Sequence, residues 1–191
     1  MHSINIYTAD KEHLPNVSAP LSAERAIEMA ASLIDLARVI TKTPHRPTIC
    51  FDEWNVWDPI RAPGEDGAEE LYTLSDALAV AVWLNVFVRQ AKYVGMANIA
   101  QSVNVISPLM TTKPGLVKQT SYYTLELFSK YMRGKMLGVH VSSGTYTGRT
   151  NPEWIATTVD VPWLDVSGAL GDDGYINISV VNISDEQDME T

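Results

Sequence analysis

Polar and apolar residues alternate from Ser3 to Tyr7, which predicts a short strand almost at the first residue. A polar loop follows, with Pro15 and Pro20 as punctuation. Ser22 reads as an N-cap, and Glu24 suits the first turn of a helix. From there to Ile40, Ala26, Ala30, Leu33, Ala37 and Ile40 recur at helical spacing, and Ile27 and Ile34 widen the stripe. Thr48 to Phe51 is a short apolar run that reads as a strand covered on both faces. Asp58 to Gly67 reads as a Pro/Gly/acidic loop, with Asp58 as its cap. A long helix is predicted over 69–93, its apolar residues nearly encircling it. Met96 to Val105 reads as a strand, Pro108 to Gly115 as a loop, and Thr120 to Met132 as a helix that Gly134 stops.

That order, β-α-β-α-β-α, defines an α/β class with a parallel sheet. After Gly134 the pattern changes. Met136 to Val141, Ile155 to Val161 and Tyr175 to Ile183 are short β-patterned runs split by Gly, Asn and Pro. Two regions are therefore expected, an α/β part over 1–134 and the beginning of an all-β sandwich over 135–191. Three or four strands are too few to complete that sandwich.

Composition narrows the function classes. The 191 residues are 46% hydrophobic, enough for a folded chain. The net charge is −9 and the cations are scattered, so neither nucleic acid nor an anionic membrane surface is an expected partner. The longest apolar stretch, Ala77 to Val88, is interrupted by Asn85 and falls short of the roughly 20 residues that span a bilayer. Met1 to Asn5 lacks the basic and apolar regions of a signal peptide, so the chain reads as soluble with its compartment open, secreted or cytoplasmic. Cys50 reads as a small buried apolar residue. The four histidines lack metal-ligand spacing, and neither metal nor cofactor is implied.

The chemistry concentrates in Phe51-Asp52-Glu53-Trp54-Asn55-Val56-Trp57, read as the end of a parallel strand, where α/β folds carry catalytic groups. Strand alternation puts Glu53 on the face of Phe51 and Ile49, and Asp52 on the opposite face. A carboxylate flanked by two indoles and an amide suits a sugar site, because indoles offer flat apolar faces and an amide offers both donor and acceptor. Glu53 is then a candidate nucleophile or acid/base group. Its other reading is an acid that feeds a loop hydrogen bond. Trp54 reads as a packing residue and Trp83 as core. Trp154 and Trp163 read as core or loop anchors, with carbohydrate binding as the alternative.

The stretch Asp52-Glu53-Trp54-Asn55-Val56-Trp57 resembles the nucleophile motif of glycoside hydrolase family 51, the α-L-arabinofuranosidases. Ser3-Ile4-Asn5-Ile6-Tyr7 resembles that family's Ser-apolar-His-x-Tyr strand end. Asn98 to Val105 is similar to its last barrel strand, and Tyr122-Tyr123 through Leu127-Phe128-Ser129 to its closing helix. The resemblance implies a (β/α)8 barrel of which 1–134 holds the last three βα units. It implies a retaining mechanism with Glu53 as nucleophile and Tyr7 orienting it. Trp57 would wall the arabinosyl pocket, and Gln101 and Asn5 would contact the sugar. Asn5 departs from the pattern, which has His there. The implied partner is an arabinofuranosyl-containing oligosaccharide or polysaccharide, and the family leaves room for a homo-oligomer.

A complete barrel typically needs about 250 residues. A retaining glycosidase also uses a second carboxyl about 5–5.5 Å from the nucleophile. The family's Gly-Asn-Glu acid/base motif does not occur in this sequence. The expectation is a C-terminal fragment, inactive as an isolated chain. The rival readings are another retaining barrel glycosidase, acting on xylosides or glucans, and a non-catalytic sugar-binding fragment.

Overall fold

The computed structural model describes residues 1–57, 69–149 and 158–191. Asp58, the 58–67 loop, Trp154 and the start of the Ile155–Val161 run lie outside the described residues. Three parallel strands form the first sheet in the order β1 (His2–Thr8), β2 (Ile49–Val56) and β3 (Val94–Ile99). Between β1 and β2 run α1 (His13–Ser18) and α2 (Leu21–Thr41), and α3 (Leu74–Arg89) joins β2 to β3.

The local sequence explains most of these boundaries. α2 follows the apolar stripe read from the sequence, but Pro20 occupies the N-cap, and Ser22 Oγ donates to the Ala19 carbonyl instead. Lys42 closes the helix in the left-handed region, at φ 56°. α1 was not expected. Pro15 is tolerated there because the first turn of a helix has no use for its missing N–H. α3 is shorter than the predicted 69–93 because Thr73 and Asp76 form a capping box that starts it at Leu74.

Strand β2 is longer than expected and carries the acidic motif inside it, not at its end. Ile4 pairs with Phe51 and Asn5 with Glu53, so Asp52 is an extra residue against β1. The same residue breaks the register with β3, where Phe51 pairs with Ala97 and Trp54 with Ile99. This β-bulge corrects the expected alternation. Phe51 and Trp54 both enter the core under the helices, while Asp52 and Glu53 both reach the opposite face, towards Ser3 and Tyr7.

The core under α2 and α3 is aromatic. Phe51, Trp54, Trp83 and Phe87 meet with ring centroids 5.1–5.6 Å apart. Burial of rings this large dominates the stabilisation of such a core. The Trp83 indole N–H donates to Thr8 Oγ1 at 3.0 Å, which satisfies its polar atom. Trp54 and Trp83 are packing residues, as read from the sequence, and Cys50 is buried.

Beyond β3 the chain leaves the sheet at Ile99, six residues before the expected strand end at Val105. The expected loop at 108–115 is largely a hairpin of β4 (Leu109–Thr112) and β5 (Gly115–Lys118). α4 (Thr120–Tyr131) matches its expected span, and Gly134 follows at φ +104°. The last part of the chain carries β6 (Lys135–Leu137), β7 (Thr145–Arg149), β8 (Thr158–Pro162), β9 (Leu164–Leu170) and β10 (Ile176–Asn182). Their pairing is antiparallel, β10-β9-β6 in one sheet and β7-β8 in another. β7 and β9 had no counterpart in the sequence reading.

This β part packs on α1 and α3 through a second apolar cluster of Val17, Ala81, Val82, Val161, Val181 and Ile183. A polar network crosses the same junction. Arg89 makes a two-pronged pair with Glu24 at 2.8 and 3.0 Å and a 2.8 Å ion pair with Asp165, which is 3% exposed. Asn85 donates to Asp165 at 2.7 Å and accepts from Ser167 at 2.7 Å. Burial raises the pKa of Asp165, while Arg89 and Asn85 act against that rise.

Large apolar side chains remain uncovered on three surfaces: Leu33, Leu36, Val39 and Ile40 on α2, Tyr123, Leu127 and Tyr131 on α4, and Ile176, Ile178 and Val180 on β10. Among the described residues, β1 and β3 each pair only with β2, so both edges of the parallel sheet are open.

Candidate active site

The exposed face of the parallel sheet collects the motif's polar groups. Ser3, Asn5 and Tyr7 share it because they alternate with the inward Ile4, Ile6 and Thr8 of β1. The bulge in β2 delivers Asp52 and Glu53 to the same face. The result is two stacked layers. In the first, Ser3 Oγ lies 2.7 and 2.8 Å from the two Asp52 oxygens. Asn5 joins it: with its amide oriented to satisfy its neighbours, Nδ2 donates to the Ile4 carbonyl at 3.0 Å and to Asp52.

In the second layer the Tyr7 hydroxyl donates to Glu53 Oε2 at 2.9 Å. Glu53 is exposed, and its Oε1 makes no hydrogen bond among the described residues. Partial burial raises the Tyr7 pKa to about 12, and the hydrogen bond and charge of Glu53 add to the rise. Tyr7 is therefore a neutral donor at ordinary pH. The Trp57 ring meets the Tyr7 ring edge-on at 5.4 Å. The Trp57 backbone N–H donates to the Thr8 carbonyl at 3.0 Å, while its indole N–H is buried and unpartnered among the described residues.

The candidates read from the sequence thus divide. Tyr7, Glu53 and Trp57 come together directly. Asn5 lies opposite Glu53 in the strand register, but its side chain serves Asp52. Gln101 is exposed, lies past the end of β3 and makes no side-chain hydrogen bond among the described residues.

Two residues of the site escaped the sequence reading. Asp52 was assigned to the wrong face, and only the bulge corrects it. Asn55, read from the sequence as the donor and acceptor amide of a sugar site, turns to the backbone instead. It is fully buried, donates to the carbonyls of Ala100 (2.8 Å) and Ile106, and accepts from the Val56 N–H at 2.8 Å. It fastens the irregular segment after β3, where Asn104 and Ile106 take positive φ. An amide within a β-branched and aromatic strand was the one available signal.

A carboxylate with one oxygen held by a neutral donor and the other open can act as a nucleophile or as a base. Among the described residues, no three His, Cys, Asp or Glu side chains gather as a metal site. Among the described residues, no helix is long and apolar enough to cross a membrane.

Comparison with known sequences and structures names the family. The family model described as the alpha-L-arabinofuranosidase C-terminal domain matches residues 52–190. The chain belongs to that family. It is 67% identical over 194 residues to the probable alpha-L-arabinofuranosidase C of Aspergillus clavatus, covering 100% of this chain and 38% of that protein. It is 65% identical to the alpha-L-arabinofuranosidase C of Emericella nidulans, with the same coverage. It therefore spans 38% of the length of these relatives. The alpha-L-arabinofuranosidase of Thermotoga maritima, solved as an arabinose complex, superimposes with a TM-score of 0.77 at 28% identity, over 94% of this chain and 37% of that one. A family 51 alpha-L-arabinofuranosidase from Bifidobacterium longum has the same fold, with a TM-score of 0.83 at 22% identity over 96% of this chain and 39% of that one. The resemblance to glycoside hydrolase family 51 holds.

Proposed function

We propose that this chain supplies the nucleophile side of a retaining α-L-arabinofuranosidase. Its substrate would be terminal, non-reducing α-L-arabinofuranosyl groups on arabinoxylan- or arabinan-type glycans. The observation that carries the reading is the 2.9 Å hydrogen bond from Tyr7 to an exposed Glu53 beside the Trp57 ring. Glu53 Oε1 attacks the anomeric carbon and forms a glycosyl ester, while the glycosidic oxygen leaves with a proton from a second carboxyl outside this chain. Water then attacks the anomeric carbon, gives its proton to that second group, and displaces the Glu53 carboxylate. Tyr7 fixes the rotamer of Glu53 and stays protonated throughout. Trp57 walls the sugar pocket. Gln101 and Asn5 complete the hydroxyl contacts.

The same reading takes residues 1–134 as the last three βα units of a (β/α)8 barrel and 135–191 as part of a C-terminal β-sandwich. Two open sheet edges and the bare apolar faces of α2 and α4 support it, since a closed barrel covers all of them.

The test is hydrolysis of an aryl α-L-arabinofuranoside by a chimera in which this chain replaces the matching 38% of the Emericella nidulans relative. Turnover is expected, with a loss of about 10⁶-fold in Glu53→Ala, the scale seen when a nucleophile is removed. The 191-residue chain alone should not turn over. Turnover by the isolated chain that disappears in Glu53→Ala would defeat the division of labour. An active chimera indifferent to Glu53 would defeat the nucleophile assignment.

A further inference from the structure

A cleft of about 480 Å³ lies where α1 meets the β part, away from the Glu53–Tyr7 pair. Trp163, Tyr146, Arg149, Glu12, Asp185 and Gln187 line it. Its floor is a stacked pair: the Tyr146 and Trp163 rings lie 4.6 Å apart and 31° from parallel. Tyr146 also packs against the second apolar cluster, and both rings are only partly buried and line the cleft. The Trp163 backbone is held by both of its neighbours, N–H to the Gly144 carbonyl at 3.0 Å and carbonyl to the Ile183 N–H at 2.9 Å.

The walls are tied as well. The His13 ring bonds the Ile183 carbonyl at 3.0 Å, and the Tyr146 hydroxyl donates to the Leu14 carbonyl at 3.3 Å. The 184–187 rim is fixed by Ser184 Oγ, which accepts the N–H groups of Glu186 and Gln187, and by Asn182, which donates to the Gln187 carbonyl. The cleft is therefore built before any ligand arrives, which reduces the ordering cost of binding.

The polar lining is mixed. Arg149 makes no ion pair among the described residues and offers donors, as does the Gln187 amide. Glu12 and Asp185 offer acceptors. A fixed indole face bordered by both donors and acceptors matches a sugar ring, whose C–H face is apolar and whose hydroxyls both give and take hydrogen bonds. The three carboxylates, Glu12, Asp185 and Glu186, disfavour an anion, and the Arg149 guanidinium among them works against a cation.

We propose that this cleft is a second glycan-binding site, for a neutral oligosaccharide, separate from the Glu53 site. The identity of the glycan, one carrying arabinofuranosyl branches, rests on the function proposed above; the existence of the site does not. Its position suits a polymer. Glu12 follows Thr8, the last residue of the strand that carries Tyr7, by four residues, a reach of at most about 14 Å. A glycan seated on Trp163 can thus extend towards the Glu53 face.

The test is calorimetric titration of the 191-residue chain with an arabinoxylo-oligosaccharide, in a Glu53→Gln/Trp57→Ala background that silences the other site. Saturable binding should persist there and weaken about tenfold in Trp163→Ala, the loss of one stacking platform. Arg149→Ala, at an exposed position, should weaken it several-fold. Should Trp163→Ala lose its near-ultraviolet dichroism, Trp163→Phe and Arg149→Ala decide. Absence of saturable binding, binding indifferent to both residues, or capture of a lysine-rich peptide in place of the glycan would each overturn the proposal. An inactive Glu53 chimera with an intact titration here would fault only the catalytic reading.

Discussion

Asn55 and Ala100 are joined by a 2.8 Å hydrogen bond from the fully buried amide of one to the carbonyl of the other. The same nitrogen reaches Ile106, so one side chain pins both ends of the segment that carries Gln101. Asn55→Ala strips partners from two carbonyls and one N–H. A cost of about 1–3 kcal/mol is expected for each group left both buried and unsatisfied. Urea unfolding followed by far-ultraviolet dichroism measures it. Asn55→Asp keeps the acceptor for Val56 but loses both donations, and it should recover little.

Tyr7 gives the chain an alkaline signature. Its pKa is about 12 in the fold, against 10.0 for the free side chain. A raised pKa means that the folded state holds the proton longer. The stabilisation is fully present below pH 10 and is lost as pH climbs towards 12. Difference absorbance near the phenolate band, wild type against Tyr7→Phe, should show no Tyr7 ionisation until well above pH 10. An early phenolate would mean that the contact with Glu53 does not persist in solution.

The two indoles of the motif should behave oppositely. Trp54 is 2% exposed within the aromatic core, and Trp54→Ala is expected to cost about 3–5 kcal/mol. Trp57 touches Tyr7 at the rim of the site, and Trp57→Ala should barely move the melting temperature while impairing turnover of the chimera. Paired thermal melts and assays separate the two. Equal stability losses would contradict the assignment.

Arg89 and Asp165 hold the helical and β parts together. Arg89→Met leaves the Asp165 carboxylate buried without its cation, and breaking such a pair typically costs about 3–5 kcal/mol. The double change Arg89→Met/Asp165→Leu should recover part of that loss, because the most buried charge is gone and Glu24 keeps the Gln90 amide as a partner. A thermal-melt double-mutant cycle reports the coupling.

The helices were the most legible elements. α2 and α4 have unbroken apolar stripes, and α4 has Gly134 as a stop. α1 was hidden because six residues are too few to establish a period, and Pro15 reads as a breaker unless its first-turn position is known. β9 was hidden because five consecutive residues, Asp165 to Ala169, are buried. Burial on both faces erases the alternation that marks a strand. The grouping of Glu53, Tyr7 and Trp57 was legible, Glu53 from its chemistry and Tyr7 through the family resemblance, and the structure brings the three side chains together. Its layout was not, because a bulge is a property of paired backbones and leaves no mark in the composition of one strand. Asn5 shows the limit: its place opposite Glu53 is a matter of register, but its engagement with Asp52 depends on that extra residue.

The bulge also sets which changes of length the strand survives. Asp52 is surplus to the ladder on both sides of β2. Deleting it would restore regular pairing with Glu53 still beneath Tyr7. Deleting any one of Trp54, Asn55 or Val56 would exchange the faces of the residues beyond it and turn Trp57 towards the helices. Divergent descendants of this strand can therefore shorten safely at one position, and a gap in their alignment belongs at Asp52.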